Sequence, residues 1–156
     1  MPRTGFADWP CSIARAVDLV GDGWTILLVR DAGIGVRRFE HFQKRLGIGR
    51  NILTQRLQQL VADGIFERVQ YEERPPRFEY RLTAKGKDLW PVLAALMAWG
   101  DRWADDGEGK PAQLHHRTCD HDMNAEVVCS ACHEPLRLRD VSATFRPDVV
   151  AFRPGR

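Results

Sequence analysis

The chain has 156 residues, of which 44% are hydrophobic and 28% charged, and its formal net charge is +2. That balance fits one ordinary globular domain, or a small domain with an appendage, and excludes a disordered chain. No apolar run approaches the roughly 18 residues of a membrane helix, and residues 1–10 lack the apolar core of a secretory leader, so the expectation is a cytoplasmic protein with no membrane partner. Four cysteines in such a chain point to metal or thiol chemistry before a disulfide framework.

The first helix signal follows Pro10: Ser12 offers a cap, and Ile13, Ala16, Val17 and Val20 repeat at helical spacing. Gly21-Asp22-Gly23 breaks the chain, and a second helix carries Trp24, Leu27 and Leu28 before fading at Gly33 and Gly35. A third helix runs from Phe39 to Leu46 with Phe39, Phe42 and Leu46 aligned. After the tight turn Gly47-Ile48-Gly49, a fourth runs from Arg50 to about Asp63, with Leu53, Leu57, Leu60 and Val61 as its core stripe and Gly64 as its stop.

The period then changes. Residues 65–71 and 78–82 are rich in β-branched and aromatic side chains, and Phe78, Tyr80 and Leu82 alternate with Glu79 and Arg81. The adjacent Pro75 and Pro76 assign residues 72–77 to a hairpin loop. Thr83 caps a further helical stretch, with Pro91 in the first turn of its main segment. Leu89, Val92, Leu93, Leu96, Gly100 and Trp103 repeat at helical spacing to about Ala104. Residues 105–111 are a linker by composition, and in residues 112–156 Pro135, Pro147 and Pro154 favour short strands and turns. The expected organisation is a domain at 1–104, a linker at 105–111 and a small β-rich extension at 112–156.

Charge is unevenly spread. Residues 37–62 hold Arg37, Arg38, Lys44, Arg45, Arg50 and Arg56 against the single acid Glu40. Such a patch suits a polyanion, because each neutralised phosphate releases counterions; a merely solvated basic face is the alternative. Two short helices on a glycine turn, followed by a hairpin, is the order of a winged helix–turn–helix, a mainly α fold with a small β wing. The major groove of double-stranded DNA admits one α-helix, and a hairpin wing reaches the neighbouring minor groove or backbone. With its leucines buried, the fourth helix presents Asn51, Thr54, Gln55 and Gln58 outward and Arg50 at its start. Asn and Gln bond adenine bidentately and Arg bonds guanine. Arg37, Arg38, Lys44 and Arg56 suit phosphate, and Arg74 and Arg77 of the wing suit a narrow minor groove.

The stretch from Cys11 to Trp103 resembles the HxlR-type branch of the MarR-like winged-helix regulators. The matching motifs are Gly23-Trp24-Thr25-Ile26-Leu27, Arg38-Phe39, Ile52-Leu53-Thr54-Gln55-Arg56-Leu57, Asp63-Gly64, Pro75-Pro76-Arg77-Phe78-Glu79-Tyr80, Leu82-Thr83 with Gly86, and Trp99-Gly100. The resemblance implies a bacterial transcription regulator that binds a near-palindromic operator as a homodimer joined through its first and last helices. Trp90, Ala94 and Met97 make the last helix apolar beyond its main stripe, as a covered helix needs. Gly49 departs from the family pattern, where many relatives carry a capping Ser. Some members sense oxidants through a cysteine just before the first helix, the position of Cys11; an inert, buried cysteine is the other reading. A small-molecule effector has room between the dimerisation helices and the winged core, where Trp24, Trp90, Trp99 and Trp103 either line a pocket or are plain core.

The tail gives H-x-x-C, nine residues, then C-x-x-C. His116, Cys119, Cys129 and Cys132 meet the tetrahedral requirement of a structural Zn2+ on two knuckles, with His115 as a substitute for His116 and His121 and His133 as spares. Against zinc, Asp120 and His133 stand where knuckles usually place Gly, and the spacer is short. A metal-free extension or a thiol cluster is the alternative. A thioredoxin-like role for Cys129 and Cys132 lacks its following long helix, because Pro135 intervenes. There is no G-x-S-x-G, H-E-x-x-H, Walker loop or Rossmann fingerprint, so no enzyme is expected. A winged-helix protein-interaction module with a metal-binding or thiol-sensing tail is the rival reading.

Overall fold

The computed structural model describes residues 5–147 and 149. Expectations on Met1 to Thr4 and on Pro154 lie outside the described residues. The elements are α1 (Ser12–Val20), α2 (Gly23–Gly33), α3 (Phe39–Leu46), α4 (Arg50–Ala62), β1 (Phe66–Glu73), β2 (Pro76–Leu82), α5 (Ala84–Lys87), α6 (Trp90–Trp103), β3 (Leu114–His116) and β4 (His121–Met123), with a 3-10 turn at Leu138–Asp140. The fold is a winged helix–turn–helix with mixed α and β elements. Contacts gather the chain into two compact units, Met1–Leu96 and Met97–Arg156.

The core of the first unit forms where the helical and strand periods converge. Leu28 and Val29 of α2, Phe42 of α3, Leu53, Leu57 and Leu60 of α4, Ile65, Phe66 of β1 and Leu93 of α6 are buried together. Phe42 and Phe66 stack with centroids 6.3 Å apart. Truncating a buried leucine such as Leu57 to alanine removes about 2–5 kcal/mol of stability. The helices begin and end as local chemistry dictates. Asp22 caps α2, its Oδ1 accepting from the N–H groups of Trp24 (3.1 Å) and Thr25 (3.3 Å). Gly47 closes α3 in the left-handed region at φ +61°. Gly49 caps α4 with extended backbone and no side chain to help. Thr83 accepts from the Gly86 N–H (3.1 Å) and donates to the Gly64 carbonyl (2.6 Å), tying the start of α5 to the end of α4. Gly86 is fixed by space: a Cβ there would stand 2.3 Å from the Ile65 carbonyl oxygen.

Three sequence expectations change, and the apolar face of α1, to which the sequence assigned no side, is located. Ser12 is the first residue of α1 rather than its cap; Cys11 holds the cap position and makes no side-chain cap bond. The apolar stripe of α1 faces outward, with Ile13 75% and Val17 44% exposed, while Asp18 points in and accepts from the Phe6 N–H (3.1 Å). The stripe of α6 is split: Val92, Leu96 and Trp103 are exposed, as is Trp99, while Leu93 of that stripe and the off-stripe Ala94 are buried. The wing ladder also extends past the expected loop. Glu72 pairs with Arg77 and Glu73 with Pro76, leaving Arg74 and Pro75 at the tip. Pro76 is tolerated because it opens its strand at the end of the ladder, where a missing N–H removes least.

In the second unit β3 and β4 form an antiparallel hairpin, and a bridge between Val128 and Pro135 closes a second one. No helix among the described residues is long and apolar enough to cross a membrane.

Candidate nucleic-acid interface

The turn between α3 and α4 is pinned by Ile48, which is buried between two exposed glycines. With Leu53, Leu57 and Leu60 in the core, the 3.6-residue period turns Asn51, Gln55 and Gln58 to solvent. Thr54 is half-buried and its hydroxyl donates to the Arg50 carbonyl (2.9 Å). Arg50 opens the helix, exposed, with its guanidinium 5.4 Å from the Phe39 ring centre. This face combines one arginine with amides at one-turn spacing, the donors and acceptors that read base edges.

The basic residues divide into two groups. Arg37 and Lys44 are exposed. Arg38 is exposed and lies over the Tyr71 ring at 4.7 Å. Arg45 and Arg56 instead turn back to α2. Arg45 Nε donates to Asp31 Oδ2 (3.1 Å), while Arg30 holds the other oxygen of the same fully buried carboxylate (3.0 Å). Arg56 Nη2 donates to Asp22 Oδ2 (2.9 Å) and is only 18% exposed. Sequence reasoning missed both aspartates. The one available signal was an acid inside the otherwise apolar α2 stripe, facing a basic neighbouring segment.

The wing is tethered to the helices. The Tyr80 N–H donates to the Arg37 carbonyl (2.7 Å), and Arg38 bridges Glu79 as a one-residue third strand. A bulge between Gln70 and Glu72 inserts Tyr71, which supplies the ring beneath Arg38. Glu79 is buried and takes Arg81, whose Nε lies 2.6 Å from Oε1. At the outer end Arg74 is exposed, Arg77 Nε is 3.2 Å from Glu72 Oε2, and Arg68, unforeseen from sequence, stacks on Phe78 at 3.5 Å. The wing therefore carries an arginine at its tip and three more along its length, of which Arg81 is held by Glu79.

The remaining candidates sit elsewhere. Cys11 is half-buried at the N-cap of α1 and is a free thiol. Of the four expected pocket tryptophans, Trp90 lines a cleft of about 590 Å³ with Gly33, Arg37, Tyr80 and Arg81. In the tail, His116 Nδ1 lies 3.2 Å from Cys119 Sγ. The Cys132 and Ala131 N–H groups, with the Cys132 thiol, bond to Cys129 Sγ and hold that thiol below its usual range. His115 is engaged on both ring nitrogens, by Asp122 and Asp120 at 3.1 Å each. The two donor pairs stay separate: among the described residues no three His, Cys, Asp or Glu side chains gather as a metal site.

A buried turn between two helices, a polar outer helix face ringed by arginine and lysine, and a tethered hairpin define a winged helix–turn–helix protein of the DNA-binding class. A model of the HxlR-like helix-turn-helix family matches residues 19–108. An uncharacterized HTH-type transcriptional regulator of Mycobacterium tuberculosis is 44% identical over 131 residues, covering 84% of this chain and 83% of that protein. Among solved structures, the putative transcription factor PA1607 has a TM-score of 0.82 at 36% identity, covering 90% of this chain and 99% of that one. The redox regulator HypR, in its reduced form, has a TM-score of 0.57 at 32% identity, covering 61% of this chain and 95% of that one. The chain belongs to the HxlR-like helix-turn-helix family and is a transcriptional regulator of that type, with DNA as the partner the family implies.

Proposed function

We propose that the protein binds a near-palindromic operator as a cytoplasmic homodimer, with α4 in the major groove and the β1–β2 wing on the minor groove or backbone. The observation that carries this is the outer face of α4: Arg50, Asn51, Gln55 and Gln58 lie exposed on a helix whose other face is locked into the core by three leucines. Arg50, Asn51 and Gln55 read bases, with Thr54 shaping the helix start. Arg37, Arg38 and Lys44 meet phosphates, Arg74 and Arg77 carry the wing contact, and Arg56 supports the helix through Asp22. Dimerisation through α1 and α6 covers the outward apolar stripes, which a monomer would leave in water. In α6 the spacing of Val92, Leu96, Trp99 and Trp103 is that of a helix-packing seam.

The test is binding of the wild type and an Arg50→Ala, Gln55→Ala double variant to operator duplex, followed by fluorescence anisotropy. Each base contact contributes about 1–3 kcal/mol, so the double variant should lose at least about 30-fold in affinity for the operator while binding to random duplex changes little. Equal affinity of both proteins for the operator would overturn the assignment.

Regulation enters as a small molecule or an oxidant. The redox arm rests on Cys11, a free thiol at a helix start, and on the likeness to HypR. If Cys11 is the sensor, Cys11→Ser binds operator normally and ignores peroxide. An unchanged peroxide response in that variant removes Cys11 from the account and leaves a small-molecule signal.

A further inference from the structure

The tail carries two turns built on one plan. In the first, the Asp120 N–H donates to the His116 carbonyl (2.8 Å) and Asp120 takes φ +59°. In the second, the His133 N–H donates to the Cys129 carbonyl (2.9 Å) and His133 takes φ +63°. These are the only non-glycine residues with positive φ among the described residues, and each follows directly on the second donor of an x-x-Cys pair. Asp and His are among the non-glycine residues that enter the left-handed region most readily, and its recurrence at equivalent places gives the two turns one backbone plan.

In the second turn the Ala131 and Cys132 N–H groups face the first donor, Cys129. Ala131 N lies 3.5 Å from Cys129 Sγ. Short ladders brace each turn from behind. β3 pairs with β4 around the first, and the Val128–Pro135 bridge, with the Leu136 N–H donating to the Val127 carbonyl (2.9 Å), closes the second. Each turn thereby holds its own two donors close, His116 with Cys119 and Cys129 with Cys132. The conformation that glycine usually supplies after a metal-binding cysteine is present here without glycine.

We infer that residues 114–136 form a zinc-binding unit in which His116, Cys119, Cys129 and Cys132 supply the four donors and the metal draws the two knuckles together. One imidazole and three sulfurs match a closed tetrahedral structural site. His116 is the imidazole because the His115 ring is already held between two carboxylates. As the three Zn–S bonds form, three thiols release their protons to solvent, and closure of the knuckles is coupled to metal binding. This reading is independent of how α4 meets DNA.

The test uses the full chain, reduced, incubated with excess zinc and desalted before elemental analysis. About one zinc per chain is expected, and Cys11→Ser should keep it, since Cys11 lies outside both knuckles. Cys129→Ser, Cys132→Ser together should lose it. Cobalt loading of the wild type gives a readout that does not depend on a variant folding: tetrahedral d–d bands with charge-transfer absorption from three thiolates. No retained metal, full zinc in the double variant, or an octahedral cobalt spectrum without thiolate absorption would each overturn the assignment.

Discussion

At the scale of single residues, the interface depends on two aspartates that touch no DNA in the proposed mode. Asp22 both caps α2 and holds Arg56, so one carboxylate fixes a helix start and braces the recognition helix. Asp31 is fully buried and takes Arg30 and Arg45 on separate oxygens. Both arginines are about half exposed, so removal of the carboxylate strands no charge in the core. We therefore expect Asp22→Ala to lower stability by about 0.5–2 kcal/mol through the lost cap, read from urea unfolding. Arg56→Ala should likewise shift the unfolding midpoint and weaken DNA binding less than Arg50→Ala does. The reverse order of the two arginines would return Arg56 to the phosphate contacts. Arg50, Asn51 and Gln55 were legible in the sequence because a leucine stripe fixes which side chains face away. The partners of Arg45 and Arg56 were not, because long-range ion pairs leave no periodic signal.

At the scale of elements, the boundaries of α3 and α4 follow from glycine and cap signals, and the structure reproduces them closely. What local pattern does not report is the destination of an apolar face. The stripes of α1 and α6 were correctly read as helical, yet Ile13 and Val17 of the first and Val92, Leu96 and Trp103 of the second turn away from their own core. Periodicity says that a face is apolar, and only packing says what covers it. The wing ran further than expected because a proline excludes a residue from donating, not from ending a strand. Its arginines contact phosphate or the groove in the proposed mode. Arg74→Ala should weaken binding by a similar factor on all sequences and reduce the slope of log K against log salt by about one. A change in sequence preference without a change in slope would place Arg74 on a base edge.

At the scale of the molecule, a net charge of +2 conceals a division of labour. Positive charge concentrates on the α3–α4 segment, the wing matches four arginines with four glutamates, and α1 and α6 each present exposed apolar residues. In the proposed mode the first pattern meets a polyanion and the second meets another copy of the chain. A carboxylate in the α6 seam should therefore separate the subunits. Leu96→Asp is expected to sediment as a monomer with its helical content retained, and to lose operator affinity because two half-sites are no longer read together. A dimer in that variant would move the interface off α6. The tail was legible as a cysteine and histidine pattern but not as geometry. Asp120 and His133 stand where glycine was expected, yet both adopt the left-handed turn, which Asp and His enter more readily than other non-glycine residues.

In the proposed mode α4 reads sequence on DNA as half of a symmetric pair. Selection of bound duplexes from a random-sequence pool, at physiological salt and with the full-length protein, tests it most directly. The expected result is enrichment of an inverted repeat whose half-sites lie about one helical turn apart, roughly 10 base pairs centre to centre, with enrichment lost in the Arg50→Ala, Gln55→Ala variant. A pool that remains random after selection, or a single unrepeated site recovered equally by the variant, would contradict it.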